Sequence, residues 1–267
     1  MQYLFAWRYF KSKKSTSAIN IIAWVSVTAI AVGAAALIVI LSVFNGFEDL
    51  VKGLYTDFYA DMRVLPAEGK QITLDSNTVY KITSIDGVTA VSKVIEEKAL
   101  LANGDYQSIV VVKGVDSVFA STNNIGKHIV RGVYEMGDVQ NPGIVMGAGI
   151  ENAVGVDVTK GGFPLTLYTP NKGAGFDAVD GMFAFNITAK GVFAVQQEFD
   201  NKFIFTNIDF LRYMLSMTPN QVSGLELKIN GRPEKIKAAI QHAIGKNFIV
   251  ETRYEQNKNL YAVMQME

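Results

Sequence analysis

The chain has 267 residues, 49% of them hydrophobic and 19% charged, which is too apolar for a disordered protein and long enough for a membrane element plus one or two small domains. It has no cysteine and only two histidines, His128 and His242, so disulfides, thiolate chemistry and a histidine-based metal site are excluded. The 25 basic and 25 acidic residues balance, which argues against a nucleic-acid binder because that needs a concentrated basic face.

The N-terminal residues 1–17 form a basic, aromatic-rich segment. On a helix its aromatic residues share one face and its basic residues another; they are Tyr3, Trp7 and Phe10, and Arg8, Lys11 and Lys14. This pattern is typical of an amphipathic helix on a charged membrane surface. A simple basic flank is the alternative.

A long apolar run follows and predicts a transmembrane helix over residues 18–47. Residues 15–47 carry no formal charge, and the stretch from Ile19 to Phe44 is almost wholly apolar. A membrane span needs about 20 such residues. A buried core helix or a cleaved signal peptide would have a shorter apolar run.

The charges that flank the run predict its orientation. The residues before it are basic without any acid, whereas Glu48, Asp49, Asp57 and Asp61 follow it. The positive-inside rule therefore predicts a cytoplasmic N-terminus, with the residues after about 48 outside the cytoplasm. Within the run, Ala29 and Gly33, and Ala31 and Ala35, are spaced four apart and would let another helix approach closely.

After the run, strand-like and helix-like patterns alternate and predict an α+β domain of two lobes. The candidate strands are residues 109–112, 143–146, 164–168, 183–188, 192–195, 203–205, 225–229 and 248–251. The clearest helix runs from Pro233 to Gly245, and shorter helices are predicted over 76–85 and 207–217. Residues 48–142 and 207–254 are predicted as the α+β lobe, with residues 143–206 inserted as a β-rich lobe.

The inventory of reactive groups is poor. There is no Walker A pattern, so the chain is not expected to hydrolyse ATP. Gly147 and Gly149 follow a strand and open a short helix, but the third glycine of a dinucleotide loop is missing, and we interpret them as a turn. The two histidines lack an acidic neighbour in sequence, and Glu96 and Glu97 are expected to be exposed, so no catalytic or metal-binding residue is predicted.

The segment 171–183 is a candidate surface for binding a partner. Residues 171–183 join two strand candidates and display apolar side chains among glycines and acids, so Phe176, Val179, Met182 and Phe183 form a candidate partner-binding loop. For Met182 and Phe183, entry into the core as the start of the next strand is the alternative.

Residues 255–267 show a helical pattern that stops without a cap, as expected for a helix that leads to a further membrane span.

Three strings in this sequence resemble a known family. WRYFKSKK, the span ending SVFNGFE, and ETRYEQNKNLYAVMQME, together with Gly114-Val115-Asp116 after a strand, resemble the first half of a LolC/LolE lipoprotein-releasing permease of the MacB-like superfamily. The string around Ser42, Asn45, Gly46 and Phe47 is the most specific. The resemblance places these residues in the helix that packs in the membrane or lines the substrate path.

The resemblance implies an inner-membrane subunit of a Gram-negative ABC transporter, with a MacB-like periplasmic core. It implies a separate ATPase partner that binds ATP and Mg²⁺, no cofactor on this chain, and a second permease copy or paralogue among membrane lipids. It also implies a lipoprotein substrate and a periplasmic lipoprotein chaperone, which in LolC-type proteins binds a protruding loop where residues 171–183 lie here.

Two other functions remain open from the sequence. One is a MacB-like efflux permease or a division-type permease that relays force to a hydrolase. The other is a signal-anchored periplasmic binding module that needs no further membrane helix.

Overall fold

The structure is a computed structural model that describes residues 18–161, 164–170 and 182–256. The chain divides between residues 52 and 53 into two compact units. The predicted amphipathic segment 1–17 and most of the predicted helix over 255–267 lie outside the described residues.

A single helix, α1 (Ala18–Phe58), supplies all that is described of the first unit. Its stretch Ile21–Phe47, 27 residues long, is long and apolar enough to cross a membrane. Large apolar side chains are exposed all round this stretch, as expected of a helix surrounded by lipid rather than one with a polar face toward water. The helix continues past the predicted end at residue 47 as far as Phe58.

The second unit is built on a mixed sheet of ten described strands and a separate two-stranded sheet. The strands are β1 (Met62–Pro66), β2 (Ile72–Thr73), β3 (Val88–Asn103), β4 (Tyr106–Val115), β5 (Ile129–Gly132), β6 (Gly143–Gly147), β7 (Pro164–Pro170), β8 (Met182–Phe193), β9 (Phe203–Asn207), β10 (Gln221–Val222), β11 (Gly224–Ile229) and β12 (Phe248–Thr252). The order in the large sheet is β12-β1-β11-β3-β4-β9-β6-β8-β5, and β7 pairs with both β3 and β8; β2 pairs with β10.

The helices of the second unit are short, and sequence signals fix their ends. They are α2 (Ser76–Thr83), α3 (Phe119–Thr122), α4 (Ala148–Ala153), α5 (Gln197–Asp200), α6 (Ile208–Met214), α7 (Pro233–Ile244) and α8 (Arg253–Gln256). Asn207 caps α6 by accepting from the amides of Asp209 and Phe210. Asp75 caps α2 by accepting from the amide of Asn77. Pro233 begins α7, and Gly245 ends it with a φ of 80°.

The large sheet buries different side chains on its two faces. Because side chains alternate along a strand, Met62 and Val64 of β1 enter one face and Arg63 the other. On the first face, α2, α6 and α7 complete an aliphatic core that includes Val64, Ile82, Ile95, Leu211, Leu227 and Ile240. On the other face, phenylalanines and buried charges replace the aliphatic core.

The predicted α+β class with one apolar N-terminal helix is confirmed. The predicted strands 183–188 and 192–195 are one strand, β8, and the sequence analysis missed β1, β3 and β5 and the short pair β2 and β10. Strands β6 to β9, from the predicted β-rich lobe, lie in the same sheet as the strands of the predicted α+β lobe. The exact lobe boundaries stay a prediction.

Candidate functional site: the helix junction

The last turn of α1 is packed into the second unit by a cluster of aromatic rings. The Phe58 ring stacks on Phe199 of α5, with centroids 3.9 Å apart and planes at 4°, and lies 4.9 Å from the Phe203 ring of β9. All three residues are buried. We call residues 55–61, with the side chains that contact them, the helix junction.

Two tyrosines extend the cluster. Tyr55 meets Phe199 edge-on at 5.1 Å and donates its hydroxyl to Glu198 Oε2 at 2.7 Å. Burial, reinforced by the Glu198 carboxylate, raises the pKa of Tyr55 to about 12. Burial likewise raises the pKa of Tyr59 to about 12, so both hydroxyls stay protonated near neutral pH.

Polar contacts hold the other side of the same helical turn. The Asp57 carboxylate accepts from Asn124 Nδ2 at 2.9 Å and pairs with His128 Nε2 at 2.9 Å. The Asn124 amide also donates to the Asp57 carbonyl at 3.0 Å. His128 therefore has an acidic partner 71 residues away, which the sequence analysis did not find. His242 is exposed on α7.

The junction fixes a helix end without any catalytic arrangement. Truncating a buried phenylalanine costs about 3–5 kcal/mol, and paired rings add about 0.5–1.5 kcal/mol beyond their burial. Phe58 and Tyr55 both make such contacts, so the turn that contains them is held far more firmly than a solvated linker.

Beside the junction, a cluster of charges lies on the same face of the sheet. Arg63 Nη2 lies 2.6 Å from Glu96 Oε2, Lys113 Nζ lies 3.3 Å from Glu96 Oε1, and Lys113 also pairs with Glu226. Lys113 and Glu226 are almost fully buried. Burial alone would raise the pKa of Glu96, but the charges of Lys113 and Arg63 outweigh it and lower that pKa to about 2.

The structure corrects the expectation that Glu96 and Glu97 are exposed, because both are half-buried and Glu96 belongs to this cluster. β1, β11, β3 and β4 bring its four members together, because Arg63 is in register with Glu226, and Glu96 with Lys113. A cavity of about 580 Å³ opens over it. The cavity is walled by Phe58, Tyr59 and Phe203 from the junction and carries Lys70, Lys98 and Lys202 in its lining.

The structure places the predicted membrane residues on one continuous helix. Ala29 and Gly33, and Ala31 and Ala35, lie one turn apart in α1, and all four are exposed. Ser42, Asn45, Gly46 and Phe47 follow on the same helix and are also exposed. Their role in packing or in a substrate path stays a prediction.

The predicted partner-binding loop is described only at one end. Phe176 and Val179 lie outside the described residues. Met182 and Phe183 begin β8 but stay about half exposed, so they join the strand without entering the core. The Phe183 ring approaches Phe185 at 6.4 Å, and Phe185 in turn approaches Tyr213 at 6.1 Å, so aromatic side chains continue from the end of the loop along this side of the domain.

The glycines that resemble part of a nucleotide loop serve close packing instead. A Cβ on Gly147 would lie 2.2 Å from the Asp200 carbonyl oxygen, and one on Gly149 would lie 1.6 Å from Asn201 Oδ1. Gly147 ends β6 and Ala148 begins α4, which agrees with the turn interpretation. In the described ranges, no three His, Asp or Glu side chains are grouped so as to hold a metal ion.

The fold and the junction define a mixed α+β domain with an apolar helix whose end is fixed into it. Residues 23–243 match the MacB-like periplasmic core domain, and the chain belongs to that family. It is similar to the lipoprotein-releasing system transmembrane protein LolC of Neisseria meningitidis, with 28% identity over 237 residues, covering 83% of this chain and 52% of that protein. It is also similar to the lipoprotein-releasing system transmembrane protein LolE of Haemophilus influenzae, with 25% identity over 232 residues, covering 85% of this chain and 55% of that protein.

These relatives confirm the LolC/LolE-type resemblance, and the chain spans about half the length of each. Two solved structures are also similar. The periplasmic region of MacB from Actinobacillus actinomycetemcomitans has a TM-score of 0.48 at 10% identity, covering 76% of this chain and 92% of that one. The extracellular domain of the ABC-type transporter YknZ from Gram-positive bacteria has a TM-score of 0.48 at 10% identity, covering 72% and 99%.

Proposed function

We propose that this chain belongs to the membrane subunit of an ABC transporter that extracts lipoproteins from the inner membrane toward the outer membrane. The names of the LolC and LolE relatives support this substrate class. A separate partner ATPase supplies the energy by hydrolysing ATP with Mg²⁺, and this chain carries no catalytic step. The protein acts beside a second permease copy or paralogue in the inner membrane.

The helix junction is the observation that carries the proposal. An ATPase on the cytoplasmic side can act on a domain across the membrane only through an element that connects the two. α1 contains a stretch fit to span the membrane, and its last turn is fixed by Phe58, Asp57 and Tyr55. With its N-terminus in the cytoplasm, the helix delivers movement to a periplasmic domain that works as a lever.

The proposal gives roles to the predicted site residues. The small residues Ala29, Gly33, Ala31 and Ala35 allow a neighbouring membrane helix to approach, and Ser42 to Phe47 border the path of the acyl chains. Residues 171–183 form the surface that meets a periplasmic chaperone. The half-exposed Met182 and Phe183 supply apolar contact area at its described end.

Reconstitution tests the proposal. The full-length permease, its partner ATPase and a radiolabelled lipoprotein are placed in proteoliposomes, and lipoprotein release to an added chaperone is measured. We expect release only with ATP and Mg²⁺, and none when the ATPase carries an inactivating Walker B substitution. Release that is equal without hydrolysis would contradict the proposal, and co-purification of an efflux adaptor or a cell-wall hydrolase would favour another MacB-like function.

A further inference from the structure

The polypeptide enters and leaves the sheet at adjacent positions. Three residues, Tyr59, Ala60 and Asp61, connect α1 to β1, and the chain leaves β12 at Arg253. β1 and β12 pair antiparallel, with Met62 opposite Thr252, so the entering and leaving segments lie side by side. The three-residue link is not helical, and a short non-helical link at the end of a helix is where a hinge is expected.

The Asp61 carboxylate ties this link to its surroundings. One oxygen accepts from Arg253 Nη2; the other accepts from the Ile229 amide at 2.9 Å and lies 3.4 Å from Lys228 Nζ. The Arg253 amide donates to the Asp61 carbonyl at 3.1 Å. One largely buried side chain therefore joins the entering segment, the end of β11 and the leaving segment.

Two further contacts near Asp61 join the entering segment to the leaving segment. Arg253 Nη1 reaches Thr56 Oγ1, in the last turn of α1, at 3.5 Å, and Gln256 Nε2 reaches the Ala60 carbonyl at 3.5 Å. These contacts connect the end of α1 and the link to the segment that leaves the domain. The strand pairing between β1 and β12 reaches neither α1 nor the link, because it begins only at Met62.

We propose that Asp61 is a positioning residue that locks the link between α1 and β1, so that the helix end and the leaving segment move as one piece. This inference rests on the proposed function, in which α1 delivers movement to the domain. Without the contacts of Asp61, the link bends when α1 moves, and the movement of α1 does not reach the domain. ATP is then hydrolysed while the domain does not move.

These 267 residues contain no cysteine, so a disulfide can be introduced into them for a covalent test, with any cysteine outside them replaced by serine. Asp61→Cys with Arg253→Cys replaces the ionic tie by a disulfide that an oxidant closes and dithiothreitol opens. The Arg253 amide bonds to the Asp61 carbonyl at 3.1 Å, one position beyond the last strand pair, Met62 and Thr252, so the two backbones are close enough for a disulfide to span. The matched control is Leu65→Cys with Ile249→Cys, a pair in register on the same two strands but away from the link.

Both variants are measured as full-length permease with the ATPase in proteoliposomes, as lipoprotein released per ATP hydrolysed. For the 61/253 pair we expect the wild-type ratio when oxidised and a ratio about tenfold lower when reduced, with hydrolysis continuing. The 65/249 pair should give the wild-type ratio in both states. A wild-type ratio in the reduced 61/253 variant, or a low ratio in its oxidised form, would overturn the inference.

Hydrogen exchange separates this role from a purely structural one and from failure of the proposed function. We expect an ATP-dependent change in exchange in the wild type; in the reduced variant the strands should stay protected while this change disappears, and it should return on oxidation. Loss of protection throughout β11 and β12 would overturn the inference, since Asp61 would then hold the fold. If wild-type protein releases no lipoprotein, the proposed function fails, and the redox-dependent exchange change still decides the inference.

Discussion

Lys113 lies between two carboxylates in the middle of a sheet. Glu96 and Glu226 flank its ammonium group, and the Phe119 ring lies 5.3 Å from Nζ. A buried ion pair gains little over an apolar packing of the same volume, but removing one partner leaves an uncompensated charge. The cluster therefore adds little net stability while all its members are present, but it makes the loss of any one of them costly.

We predict that Lys113→Met destabilises the domain by about 3–5 kcal/mol, because Glu226 and Glu96 lose their common cation. Lys98→Met, on β3 and exposed, is the matched control and should change stability by less than about 0.5 kcal/mol. Denaturant unfolding of the detergent-solubilised protein measures the free energy of unfolding of both variants. Hydrogen exchange in β3 and β4 measures the local effect in a separate experiment. Equal stability of the two variants would show that the cluster is dispensable.

At the scale of elements, the end of α1 depends on rings contributed by α5 and β9. Tyr55 and Phe58 are buried, whereas the large apolar side chains of the same helix between residues 21 and 47 are exposed. One helix thus presents two kinds of apolar surface. The first is fit for lipid, and the second is complementary to a particular protein core.

We predict that Phe58→Ala destabilises the packing of α5 and β9 by about 3–5 kcal/mol, because it removes the ring stacked on Phe199. Phe58→Leu keeps an apolar side chain there and should cost less, about 1–1.5 kcal/mol. Hydrogen exchange of residues 197–207 measures the difference. Tyr80→Ala, which removes an exposed ring from α2, serves as the control, and a loss of protection no larger than in that control would contradict the prediction.

The sequence predicts elements well where one periodicity dominates. α7 was found because its apolar stripe, Pro233 and Gly245 agree. β3 was missed because Glu96, Glu97 and Lys98 interrupt its apolar pattern, and β1 because its alternation of Met62, Arg63 and Val64 is only a few residues long.

The helix junction could not be predicted in the same way. Its members come from residues 55–61, 124–128, 198–203 and 253–256, and only the fold brings these together. The available signal was local: Tyr55, Phe58 and Tyr59 share one side of a helical turn beyond the end of the membrane span. Such spacing indicates a buried face but not its partner.

At the scale of the whole molecule, the proposed function requires the N-terminus of α1 and the domain to lie on opposite sides of the membrane. The basic residues before Ala18 and the acidic residues after Phe47 predict which side each occupies. The domain then works in the periplasm, and the cytoplasmic end of α1 is available to an ATPase assembly. The reverse orientation would place the domain where no lipoprotein awaits release.

These 267 residues contain no cysteine, so single thiols introduced into them report this orientation once any cysteine outside them is replaced by serine. We predict that Ser121→Cys, exposed in the domain, reacts with a membrane-impermeant maleimide in intact spheroplasts, whereas Ser12→Cys reacts only after the membrane is permeabilised. Labelling of both variants after permeabilisation is the control for thiol reactivity. Reaction of Ser12→Cys in sealed spheroplasts, with Ser121→Cys protected, would show the opposite orientation. The domain would then share a compartment with the ATPase, and a periplasmic lever would have no basis.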